Sequence, residues 1–98
     1  MHTVYKYPIF AEDYFELDLP QDAQVLTVQL QYGEPQMWVL VNPDRPTEKR
    51  KFRLAGTGHP INENNLRYIN TFILQGGVLV FHLFEILPLL IERRADKT

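Results

Sequence analysis

The chain has 98 residues, of which 45% are hydrophobic and 22% charged, and this composition is typical of one globular domain. Its formal net charge of −2 gives no electrostatic reason to bind nucleic acid or an anionic membrane, so neither is expected as a partner. The absence of cysteine excludes disulfides, thiolate catalysis and zinc held by sulfur. The chain opens without a signal peptide, and polar residues interrupt its longest apolar stretch, 78–91, so the cytoplasm is the expected location.

Short runs of aromatic and β-branched residues, separated by Gly, Pro, Asn and Asp, predict β-strands along the chain. Pro8 places the first strand at a sheet edge, because proline cannot donate a ladder hydrogen bond. Leu26, Val28 and Leu30 alternate with polar residues, which predicts that they share the buried face of the third strand. The predicted strands are Val4–Phe10, Tyr14–Leu19, Gln24–Gln31, Gln36–Val41, Lys49–Ala55, Leu66–Gln75 and Val78–Leu87.

The last two predicted strands differ in how clearly their sequence patterns indicate a strand. Leu66–Gln75 fits a helix or a strand, whereas Gly76-Gly77 is typical of a two-residue hairpin turn. Val78–Leu87 is apolar on both faces and is therefore expected in the middle of a sheet. We expect three of its side chains to be buried: Leu79, Phe81 and Leu83.

These elements predict an all-β domain, a compact antiparallel β-sandwich or a small open barrel of six or seven strands, with room for one short helix. We expect residues 1–87 to form the single β-rich domain and 88–98 to form a carboxyl-terminal tail. Leu89, Leu90 and Ile91 give that tail an apolar segment, which we expect to act as an interface to a partner protein or to a second copy in a homo-oligomer.

Four segments carry a resemblance to known proteins. They are Tyr5-Lys6-Tyr7-Pro8, Trp38–Pro43, Gly56-Thr57-Gly58-His59-Pro60, and Leu79-Val80-Phe81-His82 with Glu85. Together they resemble a family of small bacteriophage and prophage proteins of unknown function, over nearly all of the chain up to Glu85. The resemblance implies a viral or prophage accessory protein in the host cell cytoplasm, and it implies no particular chemistry.

The glycine-rich loop is the candidate site for a ligand. Two glycines separated by one residue can expose consecutive backbone N–H groups as an anion-binding nest, and arginine matches the geometry of oxyanions. The alternative is a tight turn between strands in which glycine only supplies the dihedral angles. The candidate ligand-binding residues are Arg50, Arg53, Gly56, Thr57, Gly58 and His59.

The strand before this loop is strongly basic. Lys49, Lys51 and Arg53 alternate onto one face, and Arg50 falls on the other. Both arginines can therefore reach the loop only if a bulge or twist intervenes. The basic face is alternatively a solvated surface that blocks pairing with another chain.

The histidines do not define a metal or catalytic site. His2, His59 and His82 are scattered, so no metal is expected, and no Ser-His-Asp or paired-carboxylate pattern is present. His82 shares a face with Val80 and Phe84, either as a hydrogen-bonded core residue or as a base or ligand, and Glu85 lies on the opposite face. Neither an enzyme nor a cofactor is predicted.

These sequence features lead to two functional hypotheses. The first is a non-enzymatic accessory protein that binds a host or viral protein, which a flat apolar and aromatic surface would favour. The alternative is a binder that holds, and so sequesters, a phosphate-bearing small molecule at the Gly56–His59 loop. A deep groove lined by Thr57, His59 and arginine would favour that alternative.

Overall fold

Alternating apolar positions fold into seven antiparallel β-strands in two sheets, which confirms the predicted all-β sandwich. The structure is a computed structural model that describes residues 1–88. Within that range the helical content is a single 3₁₀ turn, Gln75–Gly77, and the sheets do not close into a barrel. The strands are β1 (Thr3–Pro8), β2 (Tyr14–Pro20), β3 (Gln24–Gln31), β4 (Glu34–Val41), β5 (Thr47–Gly56), β6 (Leu66–Leu74) and β7 (Leu79–Ile86).

The sandwich has a three-stranded sheet in the order β1-β4-β3 and a four-stranded sheet in the order β2-β5-β7-β6. One end carries the Tyr32-Gly33 turn, the Gly56–His59 loop and the β6–β7 turn, and we call it the Tyr32 end. The other end carries the β2–β3 and β4–β5 connections, which are joined by an ion pair of 3.0 Å between Arg45 and Asp22, and we call it the Arg45 end.

The core lies between the inner faces of the two sheets. Alternate residues of β4 are fully buried, as period-two burial requires. The ring of Phe52 on β5 stacks on that of Phe15 on β2, with centroids 5.1 Å apart. The largest fully buried side chains are Phe52, Leu19, Met37, Leu83, Val28, Val39 and Val41.

The third strand departs from its predicted pattern at Leu26. Val28 is buried and Leu30 shares its face, but Leu26 is 47% exposed. A β-bulge between Val25 and Thr27 inserts Leu26 as an extra residue, so the alternation is reset there. The prediction that Leu26 shares the buried face was therefore wrong.

The prediction that β7 is a central strand is confirmed, since it pairs with β5 on one side and β6 on the other. Leu83 is fully buried and Phe81 is half-buried. Leu79 is 37% exposed, contrary to prediction, because it begins the strand at the open Tyr32 end. Pro8 does lie on an edge strand, since β1 pairs only with β4.

The link between β5 and β6 places a loop across one outer face. Both strands are antiparallel to β7, which lies between them, so they are parallel to each other. Residues 57–65 must therefore return from the end of β5 to the start of β6 across β7, and we call them the crossover. Near its far end, the Leu87 amide donates to the Asn65 carbonyl at 2.8 Å.

Candidate functional site

The Gly56–His59 loop is a tight turn. The His59 amide donates to the Gly56 carbonyl at 3.1 Å, and Gly58, in the third position, has φ +89°. A type II turn requires a positive φ at that position, which glycine adopts without strain. The Thr57 amide is also engaged, donating to Val80 at 3.2 Å. Two of three consecutive amides are thus committed inside the protein, so the geometry is that of the turn alternative rather than of an open nest.

His59 packs back on its own turn. A Cβ built on Gly56 would lie 3.1 Å from Cε1 of the His59 ring, so glycine leaves room for that ring to cover the backbone. The His59 side chain is otherwise exposed. It therefore lies beside Gly56 at the surface.

A line of hydrogen-bonded side chains runs from this loop across the outer face of the four-stranded sheet. The Thr57 hydroxyl is 2.8 Å from Nε2 of His82, and Nδ1 of the same ring is 2.9 Å from the Thr71 hydroxyl. The Thr71 hydroxyl is in turn 2.7 Å from the hydroxyl of Tyr68. Both ring nitrogens of His82 therefore have a hydroxyl partner, and the ring links the glycine loop to β6 across the outer face of the sheet.

Arg53 lies beneath the crossover and does not reach the glycine loop as a free cation. Its guanidinium donates to the carbonyls of Leu54 at 2.7 Å and Pro60 at 3.0 Å. It also lies 4.9 Å from the centre of the Tyr14 ring and 3.5 Å from a carboxylate oxygen of Glu63. Only 8% of the Arg53 side chain is exposed, because the crossover covers it. The bonds from Arg53 in turn hold the crossover against the sheet.

Glu63 is the acidic member of this cluster. Its carboxylate accepts a hydrogen bond from the Tyr14 hydroxyl, and this bond is the main cause that lowers the pKa of Glu63 below its ordinary value. The nearby charge of Arg53 acts in the same direction. The same bond raises the pKa of Tyr14. The charged form of Glu63 is thus the form that holds the crossover.

Arg50 lies at the other end of β5, on the inner face with Phe52. Its Nε and Nη2 donate to the two carboxylate oxygens of Glu85, the latter at 2.9 Å, and its Nη1 donates to the Ala23 carbonyl at 2.9 Å. The hydrogen bond to Glu85 raises the pKa of Arg50. Of the six predicted ligand-binding residues, the four of the loop therefore lie together, and both arginines are engaged elsewhere.

Two surface grooves meet at the Arg50–Glu85 pair. One, of about 450 Å³, lies between the start of β5 and the end of β7 and is bordered by Lys49 and Lys51. The other, of about 370 Å³, lies between the starts of β3 and β6 and includes Arg67. Thr57 and His59 line neither of them.

The Tyr32 end exposes large apolar side chains. Tyr32 is 98% exposed, Val78 is 76% exposed and Phe10 is 69% exposed, each in a different connection at this end. Leu30 and Leu79 point inward at the same end but remain 40% and 37% exposed. Tyr32 also has a φ of +52° and precedes Gly33 at +77°, so it occupies the first central position of a type I′ hairpin.

A family comparison places the chain among known sequences. Residues 1–88 match the family described as Domain of unknown function (DUF7352). The chain belongs to this family. No curated protein and no solved structure matches the chain. The expectation of a family of unknown function is confirmed, and the bacteriophage origin stays a prediction.

The remaining predicted features lie partly outside the residues described. Leu89, Leu90 and Ile91, the predicted interface, fall beyond residue 88. Within residues 1–88 there is no group of three or more potential metal ligands. Residues 1–88 contain no helix of the length and apolar character needed to cross a membrane.

Proposed function

We propose that the protein is a non-enzymatic accessory protein of a bacteriophage or prophage, which binds a host or viral protein in the host cytoplasm through the Tyr32 end of its sandwich. The observation that carries this proposal is Tyr32, an aromatic side chain that is almost fully exposed in a left-handed turn position. The bacteriophage origin rests on the resemblance of the four sequence segments.

Tyr32 occupies a turn position that normally carries asparagine, aspartate or glycine. A left-handed conformation costs a residue other than glycine about 1–2 kcal/mol, and Asn or Gly is the usual choice here. With 98% of its surface exposed, the side chain recovers nothing by burial. A residue that breaks a local rule without a compensating contact in the free protein points to a contact made with something else.

The neighbours of Tyr32 extend the same surface. Phe10 and Val78 present apolar groups from separate connections, and Leu30 and Leu79 leave the edge of the core uncovered. Exposed apolar patches on small soluble proteins commonly mark interaction sites, and tyrosine is enriched among the residues that dominate binding energy. Side chains from three separate parts of the chain supply this surface, which fits a protein partner better than a small molecule.

The alternative, a phosphate-bearing ligand at the Gly56–His59 loop, has less support. Arg53 is covered by the crossover, and Arg50 is paired with Glu85 at the opposite end. The loop keeps the hydroxyl of Thr57 and the ring of His59 as its polar side chains, and the Thr57 hydroxyl already contacts His82.

Site-specific photo-crosslinking tests the proposed surface. The photoreactive residue p-benzoylphenylalanine would replace Tyr32 in one version and Tyr68 in another, because Tyr68 is 58% exposed on the outer face of the four-stranded sheet. We expect one dominant protein to be crosslinked from position 32 in infected bacteria and not from position 68. Equal capture from both positions, capture from position 68 alone, or a crosslink from position 32 to a second copy of the chain would contradict the proposal.

A further inference from the structure

Two β-bulges face each other where the sheets meet along β3 and β6. Leu26 is the extra residue of one bulge and Ile69 the extra residue of the other. Just beyond them, Oδ1 of Asn70 accepts hydrogen bonds from the Val28 amide and the Thr27 hydroxyl, both at 2.7 Å. Asn70 therefore links the two edge strands, β3 and β6, by hydrogen bonds. Between this link and the Arg45 end, the two strands are separated by a groove.

This groove has a volume of about 370 Å³ and lies between the starts of β3 and β6. Both bulged residues line it. Its volume lies within the range of roughly 300–1,000 Å³ that is typical of small-molecule sites. Bulges recur beside binding sites because they bend a strand and redirect its side chains. Val25, Leu26 and Ile69 give the groove an apolar wall.

The polar part of the groove is the Arg50–Glu85 pair with Arg67 beside it. Arg67 is directly opposite Glu85 in the β6–β7 register, so the two side chains share the inner face. Within residues 1–88 Arg67 makes no ion pair, whereas Arg50 already balances Glu85. Among the residues that line this groove, two positive charges therefore face one negative charge.

Arg50 also keeps donors for a ligand. A guanidinium carries five N–H groups, and three of those on Arg50 are used by Glu85 and the Ala23 carbonyl. Glu85 fixes the plane of Arg50, so its two remaining N–H groups are held in position. An arginine fixed in this way beside an unpaired one is suited to a planar or tetrahedral oxyanion, which accepts paired N–H bonds.

We propose that this groove binds a small molecule that carries an oxyanion on an apolar ring or chain. The oxyanion binds Arg67 and the remaining donors of Arg50, and the apolar body packs on Val25, Leu26 and Ile69. The site lies at the Arg45 end, so it is separate from the partner surface proposed above and does not depend on it. It also differs from the Gly56–His59 loop.

Titration followed by NMR tests this site, with phenyl phosphate and benzoate as the probes. We expect saturable shifts of the amides of Val25, Leu26 and Ile69, and the stronger of the two probes identifies the oxyanion class. In Arg67→Gln the binding should weaken about tenfold, equivalent to about 1.4 kcal/mol. Lys51→Gln removes the same charge outside this groove and should leave binding unchanged.

Three outcomes would overturn the site. The first is no saturable shift with either probe at about 10 mM, about ten times a dissociation constant of about 1 mM. The second is equal weakening in Arg67→Gln and Lys51→Gln, which would indicate attraction by net charge alone. The third is a set of shifts centred on Gly56–His59 instead of the groove, which would restore the loop as the anion site.

Discussion

Arg50 on β5 and Glu85 on β7 form a two-bond ion pair inside the sandwich, where their side chains are 15% and 7% exposed. The residue before Arg50 makes the contrasting contact. Lys49 pairs with Asp18 on the outer face at 3.4 Å, with side chains 66% and 63% exposed. The start of β5 therefore carries one sheltered pair and one solvated pair, each bridging to a neighbouring strand.

Removing the acid of each pair should have very different effects. Glu85→Ala leaves the largely buried charge of Arg50 without its carboxylate partner, and we expect the free energy of unfolding to fall by about 3 kcal/mol, the lower end of the range for a buried pair because two grooves reach this one. Asp18→Ala breaks only the solvated pair and should cost about 1 kcal/mol or less. Urea unfolding at neutral pH measures both. Similar losses in the two variants would show that the Arg50–Glu85 pair is not shielded from water.

Replacement of Tyr32 should make the protein more stable. Asparagine tolerates the left-handed position, so Tyr32→Asn should raise the free energy of unfolding by about 1 kcal/mol. The same change at Tyr68, within β6, should lower it by about 1 kcal/mol, because the ring packs edge-on against Phe84 and aromatic residues favour strands. Chemical denaturation of the two variants and the parent gives the comparison. Loss of stability in Tyr32→Asn would mean that Tyr32 has a structural role.

The two glycines of the loop should respond differently to alanine. Gly58 has φ +89° with open space around it, so Gly58→Ala should cost about 1–2 kcal/mol in backbone strain alone. The Cβ of Gly56→Ala meets only the exposed ring of His59, which can swing away, so its cost should be smaller. Thermal unfolding of both variants tests the order. A reversed order would contradict the turn geometry.

Stability should depend on the charge of Glu63. The folded protein lowers the pKa of Glu63 below its ordinary value of 4.5, so its contribution is complete above that pH and is lost as the pH falls through the lower, folded value. Glu63→Gln should therefore be less stable than the parent at pH 7, and the gap should close in acid. Unfolding measured over a series of pH values shows this directly. A gap that stays constant down to the acid limit would rule out titration of Glu63 as its cause.

Sequence alternation predicted the architecture because it is a local property. The edge position of Pro8 follows from proline chemistry, and the central position of β7 follows from its two apolar faces. The face of Leu26 was predicted wrongly, because a bulge inserts one residue without a distinctive sequence signal.

The sites were harder to predict because tertiary contacts decide them. The face of Arg53 was correctly assigned, but its burial depends on a crossover that returns over β7. The partners of His82 come from the loop and from β6, 25 and 11 residues away, and no local pattern links them. The exposure of the Tyr32 side chain likewise depends on which elements surround its turn, and it became visible only in the assembled sandwich.

The most direct test of the proposed function uses the partner protein that is identified by crosslinking from position 32. The affinity of this purified partner is measured for the parent chain and for the Tyr32→Asn variant. We expect this variant to bind at least about tenfold more weakly than the parent, while Tyr68→Asn binds within about twofold of it. Because Tyr32→Asn should be the more stable protein, weaker binding cannot be ascribed to unfolding. Unchanged affinity in Tyr32→Asn would contradict the assignment of the Tyr32 end as the partner surface.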